Sequence, residues 1–404
     1  MRRLFANRWW VIALVSLGTV LNYLARSTLS TVAPTLKSEF AITTEQYSYI
    51  VMAFQACYTI AQPIAGLVLD TLGSRVGLAV FAGGWALANM SHSMAGGWQG
   101  LAVARAALGL TEASAIPGGM KVVSEWFAPK ERAVATGWFN MGASVGNMIA
   151  PPLVAACVII WGWRSSFLVT GGLSLLWAAL WFGVYRPPAA GGVARGGPQD
   201  RWRDIVGRRA FWGIALPRFL AEPAWQTFNF FIPLYLASVW KLDLQHIAMW
   251  AWLPFVAADF GSIAGGYFAS WLVGSRGVSV TTSRKIVMTT GAALMIGPGA
   301  LGFASSAQVA ILLFCMGGFA HQMLSGALLT LAADLFPQRA VGRASGLAGT
   351  AAWTGGLLFT LVIGKSADYF GYSPLFGALA VLDALAALAM WRLLRGVNRT
   401  SQQD

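Results

Sequence analysis

The sequence predicts an all-α membrane protein of twelve transmembrane helices arranged as two six-helix halves. Three observations carry that expectation: apolar residues grouped in long blocks, charge that is scarce and one-sided, and an internal repeat. Of 404 residues, 57% are hydrophobic and only 11% charged, where a soluble domain carries about 25% charged residues. The apolar residues fall in blocks of roughly 20, the helical length that crosses a ~30 Å hydrocarbon core. The blocks span 9–34, 46–69, 76–96, 98–123, 133–160, 165–185, 211–238, 245–273, 285–304, 307–333, 344–366 and 373–394.

The net charge of +13 does not point to nucleic acid, because the charges sort by side of the membrane. With a cytoplasmic N-terminus, Lys37, Arg164, Lys241 and Lys365 fall outside, while Arg26, Arg105, Lys121 and Arg218 lie within spans. The remaining basic residues collect inside, which places both termini in the cytoplasm. Anionic headgroups are then the partner of the basic loops. "MRRLFANR" lacks a small-residue cleavage site after its apolar run, which argues against a signal peptide. Cys57, Cys157 and Cys315 lie singly in apolar blocks, with neither a metal spacing nor a disulfide framework.

The segment 186–210, rich in Gly, Pro and Arg, reads as a solvated cytoplasmic linker. It separates an N-terminal half, 1–185, from a C-terminal half, 211–404, that ends in a short cytoplasmic tail. The halves repeat. "EWFAPKERAVATG" (125–137) follows the fourth block and "DLFPQRAVGRASG" (334–346) the tenth, so that Glu125 aligns with Asp334 and Gly137 with Gly346. Many secondary transporters are built from parallel six-span repeats, with binding near the membrane midplane. After block two, "GLVLDTLGSR" places Gly66, Asp70, Gly73 and Arg75 at a helix end. The acid there can latch neighbouring helix ends and basic groups, and the glycines permit a tight turn, so the loop is expected to gate.

Ionisable residues inside spans are functional candidates, since a guanidinium costs at least ~2.5–3.5 kcal/mol at a bilayer centre. Block four carries Arg105 and Glu112, two helical turns and about 10 Å apart on one face. Arg26 in block one is the second cation, although its place near the outer end also allows snorkelling. Two arginines can grip a carboxylate, and one acid beside them fits an anion carrier coupled to protons. Block seven has Arg218 and Glu222 at i, i+4, bracketed by Pro217 and Pro223. The prolines are expected to interrupt the helix twice, and the two charges read either as an internal ion pair or as a site. Trp225, Gln226 and Asn229 follow and can meet hydroxyls of a polar ligand. At the repeat offset His321 falls opposite Glu112, with Gln322 beside it. Tyr58, Gln62 and Asn140 are further polar residues in first-half spans, and Asp259 and Asp383 read as structural. No phosphate loop, metal-ligand cluster or nucleotide domain is present, so neither an enzyme nor an ATP-driven pump is expected, and no cofactor.

"LNYLARSTLSTVAPTL", "QPIAGLVLDTLG", "RAALGLTEASAIPGG", "SEWFAPKERA", "GASVGNMIAPPL", "FWGIALPRFLAEPAW" and "GGFAHQMLSGAL" together resemble the anion:cation symporter family of the major facilitator superfamily. The spellings "LPRFLAEPAW" and "GGFAHQ" are most similar to its hexuronate branch. The resemblance covers nearly the whole chain. It implies the major facilitator fold and proton-coupled symport of galacturonate and glucuronate into the cell, across the bacterial inner membrane. It further implies that Arg26 binds the substrate carboxylate, that Glu112 in the R-x₆-E pattern with Arg105 couples protons, and that Tyr58 approaches the sugar acid. Asn140, Trp225, Asn229, His321 and Gln322 are the expected further ligand contacts, and Glu222 a second coupling acid. Where many members read Asp-Arg in span one, this chain reads Ala25-Arg26, which leaves the proton stoichiometry open, with Glu222 or His321 as substitutes. Gluconate, galactonate or tartrate are the alternative substrates, and a transporter-like uronate sensor the alternative class. The expected partners are the sugar acid, protons and lipid, with the chain working as a monomer.

Overall fold

The computed structural model describes residues 8–188, 200–242, 250, 252–370 and 373–397, and these are helical apart from short connections. The long helices are α1 (Arg8–Glu39), α2 (Thr44–Ser91), α3 (Trp98–Glu112), α4 (Ala115–Trp126), α5 (Arg132–Trp161) and α6 (Trp163–Val184). They continue as α7 (Arg209–Trp240), α8 (Leu253–Arg276), α9 (Val280–Leu294), α10 (Ala307–Leu335), α11 (Val341–Phe370) and α12 (Ser373–Leu393). Within the segment read as a linker, 189–199 lie outside the described residues, and Trp202–Val206 forms a short helix.

Seven helices among the described residues are long and apolar enough to cross a membrane. One of them, Tyr49–Met94, is 46 residues long and holds the second and third apolar blocks. The two are joined inside α2 at Gly73, whose φ of 79° and ψ of 163° suit a residue without a Cβ. Block four differs from its expected form: it is divided between α3 and α4. Pro117 has no N–H for the carbonyl of Ala113, so the helix breaks there and resumes with Gly118 donating to Ser114 at 2.8 Å.

Block seven also differs, in the opposite sense. The expected double interruption is absent, and α7 runs unbroken through Pro217 and Pro223. The carbonyl of Phe219, which Pro223 leaves without its helical donor, is covered by close backbone approach of Gly355 from α11. The Thr227 hydroxyl donates to the Pro223 carbonyl at 2.7 Å. The freed Phe219 carbonyl is met by packing, as an apolar medium demands.

The chain packs as two compact units. The first comprises 1–126, 138–199 and 338–350, and the second 127–137, 200–337 and 351–404. The first has a core of Leu29, Val32 and Leu36 from one face of α1 with Ile50, Leu101, Val154 and Phe167. In the second, Ala269 and Leu272 of α8 pack with Val287 of α9 and with Met323 and Ala327 of α10. Small residues set these distances: a Cβ on Gly109 of α3 would lie 2.5 Å from the Phe54 carbonyl of α2. That contact holds α3 against the stretch of α2 carrying Phe54 and Tyr58.

Candidate functional site

In the first unit, α1, α2 and α3 bring Arg26, Tyr58, Arg105 and Glu112 together. The Arg26 Nε donates to Glu112 Oε2 at 3.1 Å. Snorkelling toward headgroups is therefore not the arrangement adopted. The guanidinium also lies against three aromatic faces, with its central carbon 4.6 Å from the Tyr23 ring centroid, 5.0 Å from Phe54 and 4.9 Å from Tyr58. Ring quadrupoles attract a desolvated cation, so the cage holds the charge in place without neutralising it.

Arg105 donates from Nη2 to the Arg26 backbone carbonyl at 2.8 Å, and its guanidinium lies 5.5 Å from the Phe54 centroid. Glu112 is fully buried, while the Arg26 side chain keeps 17% exposure. Two polar atoms stay unused: Arg105 Nε and Glu112 Oε1 have no hydrogen-bond partner among the described residues. A buried ion pair costs several kcal/mol of desolvation per ion, so it contributes little to stability and is sensitive to the charge of either partner. Two cations share one carboxylate, leaving a surplus positive charge and an idle donor. That arrangement suits an incoming anion, and the idle carboxylate oxygen suits a proton. Asn140 is buried in the first unit on α5.

In the second unit, Arg218, Ala221 and Glu222 of α7 line a small cleft with His321, Ser325 and Leu328 of α10. Trp225 stacks on His321, ring centroids 5.8 Å apart and 13° from parallel, and meets Phe255 edge-on. Gln322 is buried beside His321. The side chain of Asn229 lies outside the described residues.

The loop acid Asp70 receives Lys121 Nζ at 2.8 Å, the backbone N–H of Gly342 at 3.1 Å and that of Arg343 at 2.9 Å. The Arg343 guanidinium lies 3.3 Å away. Asp70 thus sits at the N-terminus of α11, where exposed N–H groups and the helix dipole favour an anion. Gly66 faces the Gly342 carbonyl too closely for any Cβ. Arg75 caps the Phe182 carbonyl from Nε at 3.0 Å and Nη2 at 2.8 Å.

Several participants escaped the sequence reading. Tyr23 and Phe54 were hidden in general aromatic abundance, though each lies about one turn from an identified residue. Lys121 stood as an unassigned charge. In the second unit, Asp334 holds Arg284 Nε at 3.0 Å and Arg132 Nη1 at 3.3 Å, and Arg284 reaches the Pro129 carbonyl at 2.8 Å. The repeat alignment of Glu125 with Asp334 marked the position but not these partners. Glu125 instead accepts hydroxyls of Ser74 and Tyr185, both at 2.6 Å.

Comparison with known proteins places these features. The model of the Major Facilitator Superfamily matches residues 15–282. The hexuronate transporter of Escherichia coli (strain K12) is 49% identical, over 98% of this chain and 96% of its own length. The galacturonate transporter of Dickeya chrysanthemi is 48% identical over 75% of this chain and 93% of its own. Among solved structures, a proton:xylose symporter bound to 6-bromo-6-deoxy-D-glucose superposes with a TM-score of 0.77, covering 96% of each chain at 15% identity. A fucose:proton symporter in the outward conformation gives 0.73, over 95% of this chain and 98% of its own, also at 15%. At such identities the likeness shows the fold alone. The family match and the near-full-length relatives show more: this chain is a multi-pass membrane transporter belonging to the Major Facilitator Superfamily.

Proposed function

We propose that the protein carries hexuronates, galacturonate and glucuronate, into the bacterial cell together with protons, by alternating access across the inner membrane. Both termini lie in the cytoplasm on this reading. The observation that carries it is the Arg26–Glu112 pair at 3.1 Å inside a cage of aromatic rings, with Arg105 alongside. The names of relatives at 48% and 49% identity supply the substrate class.

The pair suggests how the two cargoes are linked. Arg26 can serve Glu112 or a substrate carboxylate, and either choice leaves one anion against the cation. When a proton neutralises Glu112, Arg26 is released to hold the uronate bidentately, with Arg105 Nε as a second donor. When the uronate leaves, Arg26 attracts Glu112 again and the proton departs. Tyr58 meets the sugar ring, and Asn140, Trp225, Asn229 and Gln322 are assigned to its hydroxyls. Gly66, Asp70, Gly73 and Arg75 form a latch with the N-terminus of α11, and its release belongs to the opening step.

The test is uptake of labelled galacturonate by proteoliposomes carrying an outside-acid pH gradient. Accumulation that a protonophore abolishes, and that unlabelled glucuronate competes more strongly than galactonate, supports the reading. Uptake indifferent to the protonophore, or stronger competition by galactonate, removes it.

A further inference from the structure

The cleft of the second unit contains an imidazole that the exchange at Arg26 does not use. His321 is 3% exposed, and its Nδ1 has no hydrogen-bond partner among the described residues. A buried polar atom is ordinarily paired, so this one needs an explanation. The imidazole lines the cleft with Arg218, Glu222 and Ser325. The space there admits about one water molecule in this conformation, enough to carry a proton to or from the ring. A second observation is independent of the first: at the repeat offset of 209 residues, His321 occupies the position that Glu112 holds in the first half.

From the water-sized cleft, the unpartnered ring nitrogen and the repeat position, we infer that His321 is a second proton carrier, so that two protons accompany each uronate. The inference rests on the proposed hexuronate:proton symport. The proton arrives from external water, adds to the Nδ1 lone pair of an imidazole protonated at Nε2, and leaves to cytoplasmic water. No other bond changes. Glu222 supplies the carboxylate that favours the imidazolium, Arg218 opposes it, and Ser325 can share a bridging water. The elements packed against α10 carry few other charges. α8 carries Asp259 and, at its end, Arg276. Arg284 of α9 pairs with Asp334, and Lys285 donates to the Leu394 carbonyl at 2.8 Å. The 296–299 turn has none. Arg132 is held by Asp334, and Asp383 lies on α12.

The charge carried per cycle tests this. One proton with a monoanion moves no net charge, whereas two move one positive charge. In wild-type proteoliposomes at equal pH on both sides, an inside-negative valinomycin–potassium potential of ~100 mV should then raise galacturonate accumulation by about 50-fold. A pH unit alone should give ~100-fold rather than ~10-fold accumulation. His321→Gln should lose the response to potential and fall to ~10-fold per pH unit, whatever its absolute rate. Wild-type uptake that follows the pH gradient but ignores potential overturns the second carrier and leaves the symport reading standing. A His321→Gln variant that still responds to potential overturns it as well. If that variant does not reach the membrane, His321→Asn is reconstituted in its place and read by the same two gradients. Wild type that takes up no galacturonate under either gradient fails the symport reading itself.

Discussion

Replacing Glu112 by Gln keeps the shape of the side chain and removes its charge. The Arg26 Nε lies 3.1 Å from Glu112 Oε2, which puts the two charge centres about 4 Å apart. At an effective dielectric of ~20 that separation corresponds to ~4 kcal/mol of attraction. Part of it is offset by desolvation, which the incoming uronate must also meet. A coupling of ~1–3 kcal/mol between internal acid and substrate, about 5- to 150-fold in affinity, is the expected remainder. Glu112→Gln should therefore bind galacturonate more tightly at neutral pH than wild type does, by a factor in that range, and its affinity should improve less steeply on acidification. The same variant should exchange labelled for unlabelled galacturonate while losing much of its proton-driven accumulation, since each proton lost removes ~1.36 kcal/mol per pH unit. Binding measured by isothermal titration of purified protein across pH, with counterflow in proteoliposomes, gives both readouts. Unchanged affinity with unchanged accumulation would refute the exchange of partners at Arg26.

Arg26→Ala removes the cation from its aromatic cage and leaves Glu112 buried without its partner, a loss of about 2–5 kcal/mol. Uptake should fall at least tens-fold, with normal membrane insertion on a blot separating this from misfolding, and Arg26→Lys should recover only part because the bidentate fork is gone. Asp70→Asn breaks a buried cluster of Lys121, Arg343 and two backbone N–H groups. It should cost about 3–5 kcal/mol, read as a lower Tm in detergent. Gly66→Ala should lower expression or Tm because its Cβ meets the Gly342 carbonyl, whereas Gly83→Ala, with nothing within 4 Å, is the neutral control. An equal Tm for the two glycine variants would remove the packing argument at Gly66.

How far the sequence revealed this site follows from what each residue's neighbours say about it. Arg26, Arg105 and Glu112 stood out because ionisable groups within apolar blocks are costly and therefore rare. Their grouping in one site was expected from their kinds, but the direct contact of Arg26 with Glu112 was not visible. Arg26 and Glu112 are 86 positions apart, and their register is set by helix approach at residues such as Gly109. The latch at Asp70 was legible in kind, an acid at a helix end seeking basic groups and N–H donors. Its donors at 342 and 343 lie far along the chain, in a helix that the linear pattern does not tie to it. Pro217 and Pro223 misled in the other direction. The local rule predicts a break, but the helix continues, and the Phe219 carbonyl freed by Pro223 is covered by the close approach of Gly355. At Pro117 the local rule held, and the helix is divided there between α3 and α4.

The central claim is that the uronate and the Glu112 carboxylate compete for one guanidinium, so that a proton on Glu112 favours uronate binding. It is tested most directly by adding galacturonate to purified protein in a weakly buffered solution near neutral pH and following the free proton concentration. Binding should draw protons from solution in wild type, and Glu112→Gln should bind while taking up at least one proton fewer. Proton uptake of the same size in both proteins, or none in wild type despite saturable binding, would contradict it.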